Sequence, residues 1–211
     1  KHRGPDNYEI WESKNKKVFL GHTRLSILDI STKANQPLSY RDRYIITFNG
    51  EIYNFQELSE ILKKKGHKFK TKSDTEILIA SYAEWGIDCL NFIEGMFAFA
   101  IYDIFSNKIF AARDRSGEKP FFYALKDEIF FFASEIKALL SFELIPREIN
   151  KNSLNNFLYL GYIPGSSCMF KNIYKLPPGN FLMYDLDKNF LKIKKYWELP
   201  EPKKKQFKND Y

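Results

Sequence analysis

Asn49-Gly50-Glu51 is the grouping with the most chemical potential, because it directly follows an apolar run, Tyr44 to Phe48. A glycine there lets the backbone come close to a ligand, and its N–H with the Asn49 amide could give two donors to an oxyanion. The same pair could equally be a strand-end turn in which Asn and Gly supply positive φ. Asp74, beside Ser73 at the expected start of a helix, reads either as a first-turn acid favoured by the helix dipole or as a carboxylate for a ligand ammonium. Arg24, in His22-Thr23-Arg24-Leu25, could grip a carboxylate in bidentate fashion or form a surface salt bridge. His22 reads as a packed or hydrogen-bonded histidine, and His67, just past a helix end, as an exposed one. Arg113-Asp114-Arg115 with Gly117 and Pro120 reads as an ion-pair corner fixing a loop. Ser134-Glu135 reads as a cap plus first-turn acid, and Leu176-Pro177-Pro178-Gly179 as a stiff strand entry.

The elements that must hold these residues are marked by turn chemistry and periodicity. Val18 to His22 and Tyr44 to Phe48 read as strands, the second ending at Asn49-Gly50. Asn54 is expected to cap a helix with Glu57 three residues on, an apolar stripe at Leu58, Ile61 and Leu62, and a stop at Gly66. Ser73 and Glu76 form a capping-box pattern for a second helix running to Trp85 and stopping at Gly86. Strands follow at Phe97–Ile104, Lys108–Arg113, Phe121–Leu125 and Ile129–Ala133, then short helices from Ser134 and over Asn152–Leu160. A late hairpin pairs Phe181–Tyr184 with Phe190–Tyr196. The runs Met96 to Ile104 and Glu128 to Ala133 are too apolar for strands with one wet face. Helices grouped among mostly antiparallel strands covered on both faces predict an α+β fold, a four-layer αββα sandwich.

Composition bounds the function. The chain has 211 residues and a net charge of +7, but Lys188 to Tyr211 holds eight lysines against Glu198, Glu201 and Asp210, so the remainder is close to balanced. That concentration reads as a solvated tail or linker, and a nucleic-acid role is disfavoured. No apolar run is long enough for a membrane span or a secretion signal, so no membrane contact is expected and the cytoplasm is the default compartment. Cys89 and Cys168 form neither a disulfide framework nor a metal cluster, and no metal site is expected. The chain opens on Lys1 directly in a Gly4-Pro5 turn, as a piece of a longer polypeptide would.

In order along the chain, His2-Arg3-Gly4-Pro5-Asp6, His22-Thr23-Arg24-Leu25-Ser26-Ile27, Asn49-Gly50-Glu51-Ile52-Tyr53-Asn54, Ser73-Asp74-Thr75-Glu76 and Gly95-Met96-Phe97-Ala98-Phe99-Ala100 resemble the glutaminase domain of glutamine-hydrolysing asparagine synthetases. The resemblance continues through Arg113-Asp114-Arg115-Ser116-Gly117, Ala133-Ser134-Glu135-Ile136-Lys137-Ala138 and Lys175-Leu176-Pro177-Pro178-Gly179 to Tyr196-Trp197. It implies an N-terminal-nucleophile hydrolase in which a first-residue cysteine attacks the glutamine amide, its own α-amino group acting as base. An α-amino group with a pKa of about 8 can take a proton near neutrality.

The resemblance further implies that Arg24 binds the α-carboxylate of L-glutamine, that Glu51 and Asp74 hold its ammonium, and that Asn49 and Gly50 form the oxyanion hole. Leu25, Ile27 and Leu28 would line the pocket through backbone and packing. It divides the chain into residues 1–197, a glutaminase domain lacking its N-terminal segment and nucleophile, and residues 198–211, a linker toward an absent synthetase domain. That domain would use ATP and Mg²⁺ to amidate aspartate, whereas no cofactor is expected in this chain. A homodimer is compatible with it. Two other readings stay open: the same plan acting on another carboxylate, such as a surface-sugar acid, and a non-catalytic domain of this fold.

Overall fold

Alternation along the central strands decides the layering. The computed structural model describes residues 2–201. In chain order the strands are β1 (Asn7–Glu12), β2 (Phe19–Arg24), β3 (Leu38–Tyr40), β4 (Tyr44–Ile52), β5 (Gly95–Asp103), β6 (Lys108–Arg113), β7 (Phe122–Lys126), β8 (Ile129–Ala133), β9 (Tyr174–Lys175), β10 (Asn180–Asp185) and β11 (Phe190–Lys195). The helices are α1 (Phe55–Lys64), α2 (Asp74–Trp85), α3 (Ile136–Leu139) and α4 (Lys151–Leu160). Six strands form an antiparallel sheet in the order β11-β10-β6-β5-β4-β3; β1-β2 and β8-β7-β9 form the two pieces of a second β layer.

Successive side chains of a strand point to opposite faces. Ile46, Phe48, Phe97, Phe99, Ile101, Phe110 and Phe181 therefore share one face with Leu58 and Leu62 of α1 and Leu78 and Ile79 of α2. Their neighbours Ile45, Ala98, Ala100, Ala111 and Leu182 share the other face with Phe121, Tyr123 and Leu20 of the second layer. The small residues on that face make room for aromatic rings arriving from β7 and β8. Beyond the second layer, Phe131, Leu139, Ile145, Cys168 and Ile173 build a smaller outer core around α3. The result is the αββα sandwich expected from the sequence. No helix among the described residues is long and apolar enough to cross a membrane.

Several local expectations change. Asn49-Gly50 is no turn: β4 runs through both to Ile52, with Asn49 opposite Ala98 and Gly50 opposite Phe97. A β-carbon on Gly50 would lie 2.1 Å from the Met96 carbonyl oxygen, so glycine is needed for close strand approach. Asn54 stands at the start of α1 without capping it; its amide ties Phe92 O and Glu94 N instead, at 2.8 and 3.0 Å. Ser73 does cap α2, through Thr75 N, but Glu76 completes no capping box and takes the Lys70 and Thr71 amides. His67 is buried, between Tyr40 Oη at 2.6 Å and Glu84 Oε2 at 2.9 Å, because the turn after α1 folds back under α2. β1, β3 and β9 were not foreseen: β1 is largely exposed, and the other two are too short to show a period. Of the expected linker, residues 202–211 lie outside the described residues, as does Lys1 of the Lys1–Asp6 opening.

Phe110 is fully buried, stacked on Tyr82 with ring centroids 4.9 Å apart and meeting Phe99 and Phe181. Phe110→Ala is expected to cost about 3–5 kcal/mol of unfolding free energy in urea. Ala111→Leu, aimed at the other face, should cost about 1–3 kcal/mol by overpacking the inter-sheet core.

Candidate active site

Past Ile46 the outer edge of β4 has no neighbouring strand among the described residues, since β3 pairs only with Tyr44–Ile46. Tyr53 N donates to Glu94 O at 2.7 Å, which fixes the phase of the β4–β5 ladder: odd residues bond across to β5 and even residues face outward. Phe48 N is met by Gln36 Oε1 at 2.6 Å and Ile52 N by Asp74 Oδ2 at 3.0 Å. The Gly50 N–H between them faces the same way and has no partner among the described residues. It opens into a cleft of about 290 Å³.

That cleft brings together all eight residues singled out from the sequence: Arg24, Leu25, Ile27, Leu28, Asn49, Gly50, Glu51 and Asp74. β2 delivers Arg24, the end of β4 delivers Asn49 to Glu51, and the first turn of α2 delivers Asp74. Leu25, Ile27 and Leu28 line the cleft with exposed side chains. Their segment is held from beneath. Arg24 is buried, with Nη1 donating to Ser31 O at 2.9 Å and Asn35 Oδ1 at 2.8 Å, and Nη2 donating to Asp29 O. It makes no surface salt bridge. Its Nε–H and one Nη2–H remain unused among the described residues, and the only buried side-chain polar atom lacking a partner there is His22 Nδ1, so Nε is open to solvent. An Nε/Nη2 edge is suited to a paired contact with a carboxylate.

The acids have the complementary problem. Asp74 is buried, and desolvation, reinforced by the nearby Glu51 charge, pushes its carboxyl above the usual range against hydrogen bonds from Ile52 N, Thr75 N and Ser73 Oγ. Glu51 has no ion-pair or hydrogen-bond partner among the described residues. Two neighbouring carboxylates without a cation suit a positively charged ligand group. His22 donates from Nε2 to Phe48 O at 3.1 Å, and burial pushes it down toward the neutral form.

Sequence reasoning missed Gln36, Asp29, Lys119 and the lining role of Arg3. Asp29 latches the exposed segment, taking Ser31 N and Lys72 N at 2.8 Å each. Lys119 is presented by the Arg113-Asp114 corner, which is no ion pair. Asp114 accepts from Phe97 N, Glu118 N and Lys119 N, while Arg113 donates to the carbonyls of Gly117, Lys119 and Leu176. Backbone groups satisfy both charges, a pattern that residue types alone do not reveal. Cys89 and Cys168 are buried away from the cleft; burial pushes both thiols up, Cys168 to about 11.

A family model described as a glutamine amidotransferase domain matches residues 1–197. The chain belongs to that family. It is 40% identical over 96% of its length to a putative glutamine-hydrolysing asparagine synthetase of Methanocaldococcus jannaschii, covering 42% of that protein. It is also 40% identical over 95% of its length to asparagine synthetase 3 of Bacillus subtilis, covering 33% of it, and 34% identical to amidase chry2 of Gibberella zeae, covering 30%. The chain thus spans about a third to two fifths of the length of these relatives. Among solved structures, the glutamine PRPP amidotransferase of B. subtilis shares the fold, with a TM-score of 0.58 at 21% identity over 84% of this chain and 34% of that one.

The raised Asp74 pKa carries a stability signature. A carboxyl whose folded pKa exceeds its unfolded value destabilises the fold once ionised, and does not below the unfolded pKa of about 4. Asp74→Asn keeps an acceptor for Ile52 N. Its melting temperature should exceed that of the parent at pH 7, and the gain should vanish as the pH falls to about 4.

Proposed function

We propose that this domain binds L-glutamine in the cleft and that, in the complete protein, the same cleft hydrolyses the glutamine amide to deliver ammonia. The observation that carries the reading is the placement of a half-satisfied buried arginine and two cation-seeking carboxylates around one open backbone N–H. A free amino acid needs that set. The Arg24 Nε/Nη2 edge takes the α-carboxylate, Glu51 and Asp74 take the ammonium, and Gly50 N–H with Asn49 Nδ2–H receive the amide oxygen as it gains charge.

The nucleophile this mechanism needs is a thiol, and neither cysteine of residues 1–211 lines the cleft. The reading therefore assigns attack to an N-terminal cysteine outside this sequence, as the family resemblance implies. Its α-amino group takes the thiol proton, sulfur bonds to the amide carbon, and the oxyanion rests on Asn49 and Gly50. Collapse passes the proton to nitrogen and expels ammonia; water then cleaves the thioester and releases glutamate. ATP and Mg²⁺ belong in this reading to the part of the relatives beyond the span matched here, where ammonia would amidate aspartate. That one relative carrying this domain is named an amidase keeps a different acceptor in play, and an acceptor screen on the complete gene product separates the two.

Two measurements test the reading. L-glutamine titrated into this chain should release binding heat, and Glu51→Gln should weaken affinity at least about 10-fold, the scale of one lost charged contact. In the complete gene product, Arg24→Ala or Asp74→Ala should impair glutamine-dependent turnover and spare turnover with added ammonia. Equal loss with both nitrogen sources would refute the assignment.

A further inference from the structure

The dipeptide Ser134-Glu135 stands between β8 and α3, where serine and acidic residues ordinarily cap the helix. Neither does so. The N-cap position is Glu135, its side chain makes no capping bond, and Ser134 stands before it. Both side chains reach across the sequence instead. Ser134 Oγ lies 3.4 Å from Asn49 Nδ2, 85 residues away. Glu135 Oε1 meets His2 Nε2 at 3.0 Å and Arg3 Nη1 at 3.6 Å, and Oε2 meets Lys137 Nζ at 3.2 Å.

The alternation of β4 makes this contact consequential. Asn49 is an odd residue of β4, so its side chain projects toward the second β layer, whereas the Gly50 N–H projects along the open edge. An unrestrained Asn amide can rotate about its last side-chain bond and present oxygen where nitrogen is needed. Ser134 Oγ is an acceptor for one Nδ2–H, which leaves the second N–H directed by the first. Glu135 fixes where that acceptor sits. Its contacts with His2 and Arg3 tie the end of β8 to the His2–Asp6 segment, which is itself fastened to β2 by Asp6 N to Arg24 O at 3.0 Å and to the cleft wall by Ser26 N to Asp6 Oδ2 at 2.7 Å.

We propose that Ser134 is a positioning residue of this site: its hydroxyl oxygen sets the orientation of the Asn49 amide so that the free Nδ2–H, with Gly50 N–H, is preorganised for the oxyanion. The proposal rests on the glutaminase reading above.

The test is steady-state glutamine hydrolysis by the complete gene product. Ser134→Ala, and Ser134→Cys, which keeps the volume with a poor acceptor, should lower kcat about 10- to 100-fold, less than the about 100- to 1,000-fold of deleting a donor outright. KM should stay within about two-fold, because substrate ground-state contacts are untouched. Ser134→Thr, which restores an oxygen, should recover most of kcat. The double variant Ser134→Ala/Asn49→Ala should be no slower than Asn49→Ala alone, since without the amide there is nothing to orient. Multiplying effects in the double variant, or a normal kcat for Ser134→Ala and Ser134→Cys beside a slow Asn49→Ala, would overturn the positioning role and leave the site reading intact. A normal kcat for Asn49→Ala as well would overturn the site reading itself.

Discussion

The outer edge of β4 is the constraint on which the site depends. Three amides, those of Phe48, Gly50 and Ile52, face away from β5 where no strand covers them, and an unpaired buried N–H is costly. Gln36 relieves the first and Asp74 the third. Each of these partners is brought in by an element with its own reason to be there: Gln36 by the chain leading into β3, and Asp74 by an α2 that packs its buried face on the sheet. The middle amide has no partner among the described residues and faces the cleft, where a ligand oxygen would find a donor. Closing the edge with another strand would satisfy all three and leave no cleft.

The same economy governs the charges. Arg24 is buried without a carboxylate ion pair among the described residues; three of its five donors go to two carbonyls and an amide oxygen of the segment it supports. Asp114 and Arg113 are likewise satisfied by backbone rather than by each other. Charges that spend part of their capacity on loop backbone hold that loop in place and still present unused donors or acceptors. Asp74 follows the opposite course: burial, reinforced by the neighbouring Glu51 charge, pushes its carboxyl up. In the proposed reading, Arg24 would meet the carboxylate of a zwitterion and Glu51 with Asp74 its ammonium.

The fold was legible where burial has a period. β6 and β8 were bounded correctly, and the apolar run Met96 to Ile104 foretold a strand covered on both faces. Arg24, Asn49–Glu51 and Asp74 were legible as types and Leu25, Ile27 and Leu28 from the family resemblance, and the cleft gathers all eight. What could not be read was the local geometry that makes them a site. Asn-Gly has the composition of a turn, and only the Met96 carbonyl 2.1 Å from an imagined β-carbon explains why glycine is required inside a strand. Asn54 and Ser134 sit where capping chemistry predicts local bonds and instead reach long-range partners, while Glu76 turns back to the Lys70 and Thr71 amides just before its helix.

This last pattern separates two kinds of polar residue at element ends. Ser73 caps its own helix, and its oxygen is consumed within two residues of itself. Asn54 and Ser134 are spent on partners 38 and 85 residues away: Asn54 extends the end of the β4–β5 ladder, and Ser134 joins elements that no ladder connects. The second β layer is in two pieces, β1-β2 and β8-β7-β9, with no ladder between them. The links from the end of β8 to the segment before β1 and to β4 are side-chain links: Glu135 to His2 and Arg3, and Ser134 to Asn49. Side chains that bridge such a gap set the distance between the pieces as well as their own orientation. In this domain those bridges converge on the walls of the cleft, so the precision of the site is built from bonds that neither helix nor sheet formation requires.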